Sequence, residues 1–163
     1  MKIHFTELAK TLPNDTILVL PIGEDKKLSS LGQALNKQAG GVIAKALESG
    51  KFTGKRGQYA SIALPSSVKA DRVILAGFGS AKNMTLTSFE NLGGGAVPYI
   101  NQAGAKSATF VLEEVKTTGI STAQAAAHIA HGASLRRYQF DKYFTKKTAD
   151  EKPTLNAFNV ALS

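Results

Sequence analysis

Apolar residues in this chain alternate between short β-branched runs and longer stretches with helical spacing. The short runs are flanked by Gly, Pro or small polar residues, which is typical of buried strands. The last of them alternates apolar with polar positions, as a strand with one covered face does. The five predicted strands are 16–21, 58–64, 72–77, 107–112 and 155–162.

Two stretches carry apolar residues at spacings of three and four, as amphipathic helices do. The first, 28–46, contains Gly40 and Gly41, so it predicts either one interrupted helix or two shorter ones. The second, 122–138, is the more regular, and Thr122 is its expected N-cap. Strands and helices therefore alternate along the chain.

A third helical stretch, 86–102, has three consecutive glycines at its centre. The glycines 93–95 and the following Pro98 predict an irregular or kinked helix. Glycines in this position allow either close approach of a ligand or tight packing of the helix on the sheet. No neighbouring residue offers a charged partner for a ligand, so we favour packing.

Helices between consecutive strands imply parallel βαβ units. The predicted fold class is therefore α/β, a three-layer α/β/α sandwich with a mostly parallel, mixed sheet. The final strand follows a lysine-rich connector with Pro153 and is predicted to be separate. The sequence thus predicts one domain over 1–147, then a linker and the start of another domain over 148–163.

With 163 residues and 43% apolar content, the chain is large enough for one compact domain with a buried core. It has no cysteine, which excludes disulfides and thiolate nucleophiles and agrees with a reducing compartment. No apolar run approaches the roughly 20 residues that span a bilayer. We therefore expect a cytoplasmic protein without a membrane partner.

The formal net charge of +8 points to anionic partners such as DNA. Candidate nucleic-acid contacts are Lys55 and Arg56 in one loop, and Arg136 and Arg137 near the end of the last helix. Phe52, in the same loop as Lys55, is an aromatic residue of the kind that stacks on a base. The charge is spread along the chain, however, so we favour an ordinary solvated surface.

The loop after strand 72–77 is the best candidate for an anion or ligand site. Glycine-rich loops in this position bring backbone amides close to a phosphate. A lysine stands where the third glycine of the dinucleotide-binding fingerprint would be, so we favour a tight turn that needs a positive φ. The candidate ligand residues are Gly77, Gly79, Ser80, Lys82 and Asn83.

Residues that could carry catalysis do not converge. His128 and His131 have a spacing found in metal sites, but cysteine is absent and no carboxylate lies on the flanking turns, so we expect surface or partly buried helix histidines. The acidic pairs 24–25 and 113–114 are adjacent residues that face opposite ways in a strand, and we expect them to be solvated. The sequence therefore predicts no catalytic residue and no metal ligand.

Four short motifs occur together in this chain. They are Phe52-x-Gly54-Lys55, Gly77-Phe78-Gly79, Gly132-Ala133 and Tyr138-x-Phe140-Asp141-x-Tyr143-x-Thr145-Lys146-Lys147. The set resembles the N-terminal domain of M17 leucyl aminopeptidases over nearly the whole chain, and the fourth motif is the most specific. The resemblance implies a macro-domain-like fold. One departure is His131, where members of the family usually have an acid.

The resemblance also implies what the rest of such an enzyme does. A C-terminal domain holds two divalent metals, zinc or manganese, and removes N-terminal residues, leucine preferred, from peptides in a hexameric assembly. The family's Asn-Thr-Asp-Ala-Glu-Gly-Arg metal signature is absent from this sequence, so no catalytic or metal-binding position is carried over. The implied role is an accessory domain, inactive alone, that contributes to assembly or substrate access. Its partners would be its own catalytic domain and other subunits.

Two alternatives to this role stay open. Some bacterial relatives double as DNA-binding regulators, and this chain is basic. Macro-like folds often hold ADP-ribose, whose diphosphate would then lie at the loop 77–83.

Overall fold

The computed structural model describes residues 1–8, 17–113, 119–142 and 153–163, with the backbone alone for 139–142. Six strands and four α-helices follow one another in these residues. The strands are β1 (Lys2–Glu7), β2 (Ile17–Gly23), β3 (Tyr59–Ala63), β4 (Arg72–Gly79), β5 (Ser107–Leu112) and β6 (Ala157–Leu162). The helices are α1 (Ser30–Gln38), α2 (Val42–Glu48), α3 (Leu86–Gln102) and α4 (Thr122–Lys142), and a 3₁₀ turn covers Ala81–Asn83.

The six described strands form one mixed sheet in the order β1-β6-β5-β2-β4-β3. Neighbouring strands are parallel except β3 and β4, which are antiparallel. Helices α1 and α2 cover one face of the sheet, and α3 and α4 cover the other. This arrangement confirms the predicted three-layer α/β/α sandwich with a mostly parallel sheet.

Strand β2 shows why a central strand reads as a continuous apolar run. Ile17 and Val19 face α3 and α4, whereas Leu18 and Leu20 face α1 and α2. All four side chains are buried, because a central strand of a parallel sheet is covered on both faces. Each such side chain contributes roughly 1.5–3 kcal/mol through burial, so β2 ties the three layers together.

The last strand belongs to the same sheet, so the prediction that it is separate is wrong. β6 lies between β1 and β5 and is parallel to both. Phe158 and Val160 are fully buried. The amide oxygen of Asn101 accepts hydrogen bonds from the N–H groups of Thr154 and Leu155 at 3.2 and 3.1 Å. Alternating apolar residues identify a strand, but not the sheet that it joins. The predicted boundary itself lies outside the described residues.

The sequence does not predict β1, the edge strand that pairs with β6. Only Ile3 and Phe5 mark its alternation, and Phe5 is 54% exposed. A strand with little buried surface carries little hydrophobic pattern, so its place in the sheet depends on the backbone hydrogen bonds to β6.

Glycine and capping residues set the helix boundaries. Gly40 and Gly41, with φ of 68° and 83°, separate α1 from α2 and confirm the alternative of two shorter helices. The N-cap of α4 is Ser121 rather than Thr122. The Ser121 hydroxyl accepts from the Gln124 N–H at 3.2 Å, and the Gln124 side chain accepts from the Ser121 N–H at 2.9 Å. Only Ser121 has a glutamine three residues on to complete this capping box.

None of the helices in the described part of the chain has the length and apolar content of a membrane span.

The glycines of α3 are packing residues. A Cβ on Gly93 would overlap the carbonyl oxygen of Ile129 in α4, and a Cβ on Gly132 would overlap that of Glu90 in α3. The backbones of α3 and α4 therefore touch where the two helices cross. The sequence predicted packing of these glycines on the sheet, whereas Gly93 packs on another helix. The last glycine of the triplet does meet a strand residue, the tyrosine at the start of β3. Helix α3 continues through the triplet with Pro98 inside it.

Candidate functional site

The carboxyl ends of β2 and β5 border a small cleft of about 300 Å³. The helices that follow β2 lie on one face of the sheet, and α4, the next described helix after β5, lies on the other. Open α/β sheets bind ligands at such a switch point, because the diverging loops leave a crevice there. The cleft is mostly apolar with a few polar side chains, and its lining includes Leu28, Phe78, Met84, Phe89, Asp25, Lys27 and Glu113.

Glu113, directly after β5, is bonded to the first turn of α1. Its carboxylate oxygens accept hydrogen bonds from the Leu31 N–H at 2.7 Å and the Ser30 N–H at 3.1 Å. The Ser29 hydroxyl accepts from the Gly32 N–H at 3.2 Å and completes the cap. The prediction that this acid is merely solvated is wrong. Nothing in the local sequence reveals the contact, because its partners lie more than 80 residues away.

The predicted glycine loop proves to be the last part of β4, which extends to Gly79, and its glycines are bonded within the protein. Gly79 has a φ of +78°, which confirms the tight turn favoured from the sequence. The Gly77 N–H donates to the Gln58 carbonyl at 2.7 Å, and the Gly79 N–H donates to the Gly54 carbonyl at 2.9 Å. Neither glycine amide points at a ligand position. Anion binding by this loop stays a prediction, which now depends on Ser80, Lys82 and Asn83 in and before the 3₁₀ turn.

Two of the sequence motifs prove to be one packed unit. A Cβ on Gly77 would overlap the carbonyl oxygen of Lys55. A Cβ on Gly54 would overlap the carbonyl oxygen of Gly23 at the end of β2. The glycines of both motifs therefore permit backbone-to-backbone contact between the loop before β3 and the ends of β2 and β4. This contact gives the glycines of both motifs a packing role.

The four predicted nucleic-acid contacts divide between two places. Lys55 and Arg56 are exposed, and the Arg56 guanidinium donates to the Asn83 carbonyl at 2.8 Å. Arg136 is exposed on α4, whereas Arg137 is half-buried and borders a different cavity. The structure thus exposes Lys55, Arg56 and Arg136 and does not present the two α4 arginines as one patch.

A larger groove of about 690 Å³ runs between β3 and the outer sides of α3 and α4. Its lining includes Tyr59, Glu90, Gly94, Pro98, Tyr99 and Arg136, together with Gly57 from the loop of Arg56. The sequence did not predict this groove, because its wall joins residues of three separate elements.

Tyr59 is the best-anchored polar side chain of that groove. Its hydroxyl donates to the carbonyl oxygens of Asn91 and Leu92, at 3.0 and 3.1 Å. Its ring stacks on Tyr99, with centroids 5.2 Å apart and an angle of 26°. Burial, and secondarily the neighbouring Tyr99, raises the pKa of Tyr59 to about 12. The hydroxyl therefore stays protonated and holds β3 against α3.

His128 contacts an acid from another helix. Its Nδ1 lies 2.7 Å from the Oε1 of Glu90 on α3. Their side chains are 33% and 28% exposed. His131 is exposed. Within the described ranges, no three His, Cys, Asp or Glu side chains stand together as a metal site requires.

Comparisons with known proteins agree on one family. The model of the "Cytosol aminopeptidase family, N-terminal domain" matches residues 19–147. A probable cytosol aminopeptidase of Caulobacter vibrioides is 32% identical over 161 residues, which cover 99% of this chain and 31% of that protein. One of Nitrosococcus oceani is 31% identical over 153 residues, covering 94% and 30%. The chain thus spans about a third of the length of these relatives.

Solved structures show the same fold. A tomato leucine aminopeptidase mutant matches 100% of this chain and 32% of its own, with a TM-score of 0.79 and 23% identity. A Trypanosoma brucei macrodomain matches 98% of this chain and 61% of its own, with a TM-score of 0.70 and 12% identity. At these identities the likeness concerns the fold alone.

The architecture is that of a macro-domain-like α/β domain. More narrowly, the chain belongs to the cytosol aminopeptidase family, M17, and matches the N-terminal domain of its members. The resemblance based on the four motifs is thereby confirmed.

Proposed function

We propose that this domain serves a leucyl aminopeptidase of the cytoplasm as an accessory unit. It would act in subunit assembly or in the access of peptides to the active site, and would have no peptidase activity alone. The observation that carries the proposal is the match of 19–147 to the family's N-terminal domain in a chain that spans 31% of such a relative.

In this proposal the parent enzyme uses two divalent metals, zinc or manganese, held by residues outside this chain. The donors in the described residues do not fit such a role. His128 and Glu90 are bonded to each other, and they are two groups where a catalytic zinc takes three protein ligands. We therefore assign no catalytic step to this domain.

A direct assay tests the division of labour. The isolated chain and the native full-length protein are each incubated with a leucyl dipeptide and Mn²⁺ or Zn²⁺. We expect the full-length protein to release leucine and the isolated chain to release none. Metal-dependent release by the isolated chain would overturn the accessory role, and an inactive full-length protein would overturn the aminopeptidase assignment.

A variant on the outer side of α4 can distinguish a role in subunit assembly from a role in the access of peptides to the active site. Leu135 is 50% exposed and Tyr138, three residues on, is 66% exposed, so they form a small apolar surface on one helix. Introducing Leu135→Asp into the full-length protein should lower the assembled mass if this surface joins subunits. An unchanged mass with a raised KM for peptides would indicate access. The matched control is Lys45→Asp, at an exposed position of α2 on the opposite face, and equal results for both variants would contradict either role.

DNA binding is a second candidate function. One observation favours it, since Gly57, beside Arg56, and Arg136 border the same groove. Binding to a DNA duplex should then weaken steeply with salt, because each neutralised phosphate releases counterions. Arg56→Ala should reduce both the affinity and the salt dependence, with Lys2→Ala on the far edge strand as control. No binding at low salt would remove this candidate.

ADP-ribose binding is the weaker alternative. A Trypanosoma brucei macrodomain of this fold has been solved in complex with ADP-ribose, at 10% identity and a TM-score of 0.68. In the present chain the amides of Gly77 and Gly79 already donate to backbone carbonyls. A rise in melting temperature with ADP-ribose that Gly79→Glu abolishes would nevertheless establish a site at this loop.

A further inference from the structure

The switch-point cleft contains an internal anion. Glu113 leaves β5 at the cleft wall, and its two carboxylate oxygens contact the Ser30 and Leu31 amides at 3.1 and 2.7 Å. These contacts join residues 83 and 82 positions apart, so they form only in the folded sheet. The helix that they cap has nine residues.

The first amides of a helix attract negative charge, because they lack carbonyl partners and lie at the positive end of the helix dipole. An anionic ligand in this cleft would need the same two N–H groups that Glu113 holds. It would also meet the negative charge of Glu113 itself and of Asp25, which lines the same cleft. Lys27 is the basic side chain in that lining. A phosphate in this cleft would thus find the two N–H donors already occupied, and the carboxylates of Glu113 and Asp25 would repel it.

We infer that Glu113 determines the ligand class of this cleft by acting as its built-in anion. With the carboxylate in place, the cleft excludes phosphate-bearing ligands and leaves its apolar walls to neutral groups. Without the carboxylate, the start of α1 becomes a phosphate site. The inference concerns this cleft alone and stands independently of the proposed role in an aminopeptidase.

The test measures the NMR signals of the Ser30 and Leu31 amides. Backbone ¹⁵N–¹H spectra of the chain are recorded during titration with inorganic phosphate, for the native sequence, Glu113→Ala and Glu113→Gln. We expect the Ser30 and Leu31 signals of the native chain to stay in place and those of Glu113→Ala to move, with an affinity about tenfold or more higher. Glu113→Gln keeps an acceptor oxygen but loses the charge, so its affinity should fall between the two.

The matched control is Glu48→Gln, which removes the same charge from an exposed position at the end of α2. It should behave as the native chain does, whereas a gain of phosphate binding there would show a general charge effect and overturn the inference. Circular dichroism reports whether each variant keeps its helices. If Glu113→Ala unfolds, Glu113→Gln decides alone. Native binding as tight as that of the variants, or no gain in any folded variant, would also overturn it.

Discussion

The cleft at the strand ends and the groove over α3 and α4 use their polar groups differently. In the cleft, the carboxylate of Glu113 is committed to the protein's own backbone. On either side of the lining residue Phe78, the amides of Gly77 and Gly79 are likewise bonded to backbone carbonyls. At the groove, the lining residue Glu90 contacts His128, and both side chains remain partly exposed. The cleft occupies the place where such folds bind ligands, yet its donors hold the fold. A position within a fold therefore does not determine function, which depends on the groups that remain available there.

The largest expected effect tests whether the cleft end of the sheet is closed by backbone contact. Gly77→Ala should destabilise the chain by about 3 kcal/mol, because the new Cβ would overlap the Lys55 carbonyl, which cannot move without the loop. Gly79→Ala should cost less, about 1–2 kcal/mol, since only its left-handed φ opposes the side chain and its nearest atoms are 3.5 Å away. Urea denaturation measures both. Equal losses would contradict the contact at Gly77.

The sequence predicts five of the six described strands, misses the edge strand β1 and misplaces the inner strand β6, for a physical reason. Strands β2, β4 and β5 are buried on both faces, so each leaves a continuous apolar run. The exposed β1 leaves almost none. For β6 the alternation is visible, but its neighbours β1 and β5 are chosen by long-range pairing that no local pattern encodes.

The candidate sites show the same limit. The turn at Gly79 could be predicted because a positive φ depends on the residue itself. Glu113 could not be recognised as a helix cap, because its partners join it only through the sheet. The groove is a further example, since its wall combines β3, α3 and α4. The local sequence pattern therefore does not predict contacts between segments that are distant along the chain.

The second effect concerns the internal anion of the cleft. Glu113→Ala should lower the free energy of unfolding by about 1–2 kcal/mol, because two charge-assisted hydrogen bonds to the start of α1 are lost. Glu113→Gln should lose about half as much, since its amide oxygen can still accept. Amide exchange at Leu31 should rise in the alanine variant. Glu48→Gln serves as control and should change stability by less than about 0.5 kcal/mol. A loss in the control as large as in Glu113→Ala would contradict the capping role.

The third effect belongs to the groove. Tyr59→Phe should cost about 1 kcal/mol near neutral pH, because the hydroxyl that holds β3 to two carbonyls of α3 is removed. Tyr59→Phe should also change the response to alkali. The pKa of Tyr59 is raised from 10.0 to about 12, so its stabilisation is complete below pH 10 and is lost as the pH rises toward 12. The phenylalanine variant lacks this component of the alkaline decline, whereas Tyr99→Phe should keep it. Parallel curves for native chain and Tyr59→Phe between pH 10 and 12 would contradict the assignment.

The smallest effect sharpens the contrast between the two cavities. Glu90 and His128 contact each other at 2.7 Å, but both side chains are about a third exposed, so water competes for the contact. A double-mutant cycle with Glu90→Ala and His128→Ala should therefore give a coupling of only about 0.5 kcal/mol, falling with added salt. The loss of about 1–2 kcal/mol expected for Glu113→Ala provides the comparison in the cleft. If the coupling of the pair at the groove exceeded that loss, Glu90 and His128 would be structural in the same sense as Tyr59 and Glu113, and the distinction between the committed cleft and this partly exposed pair would fail.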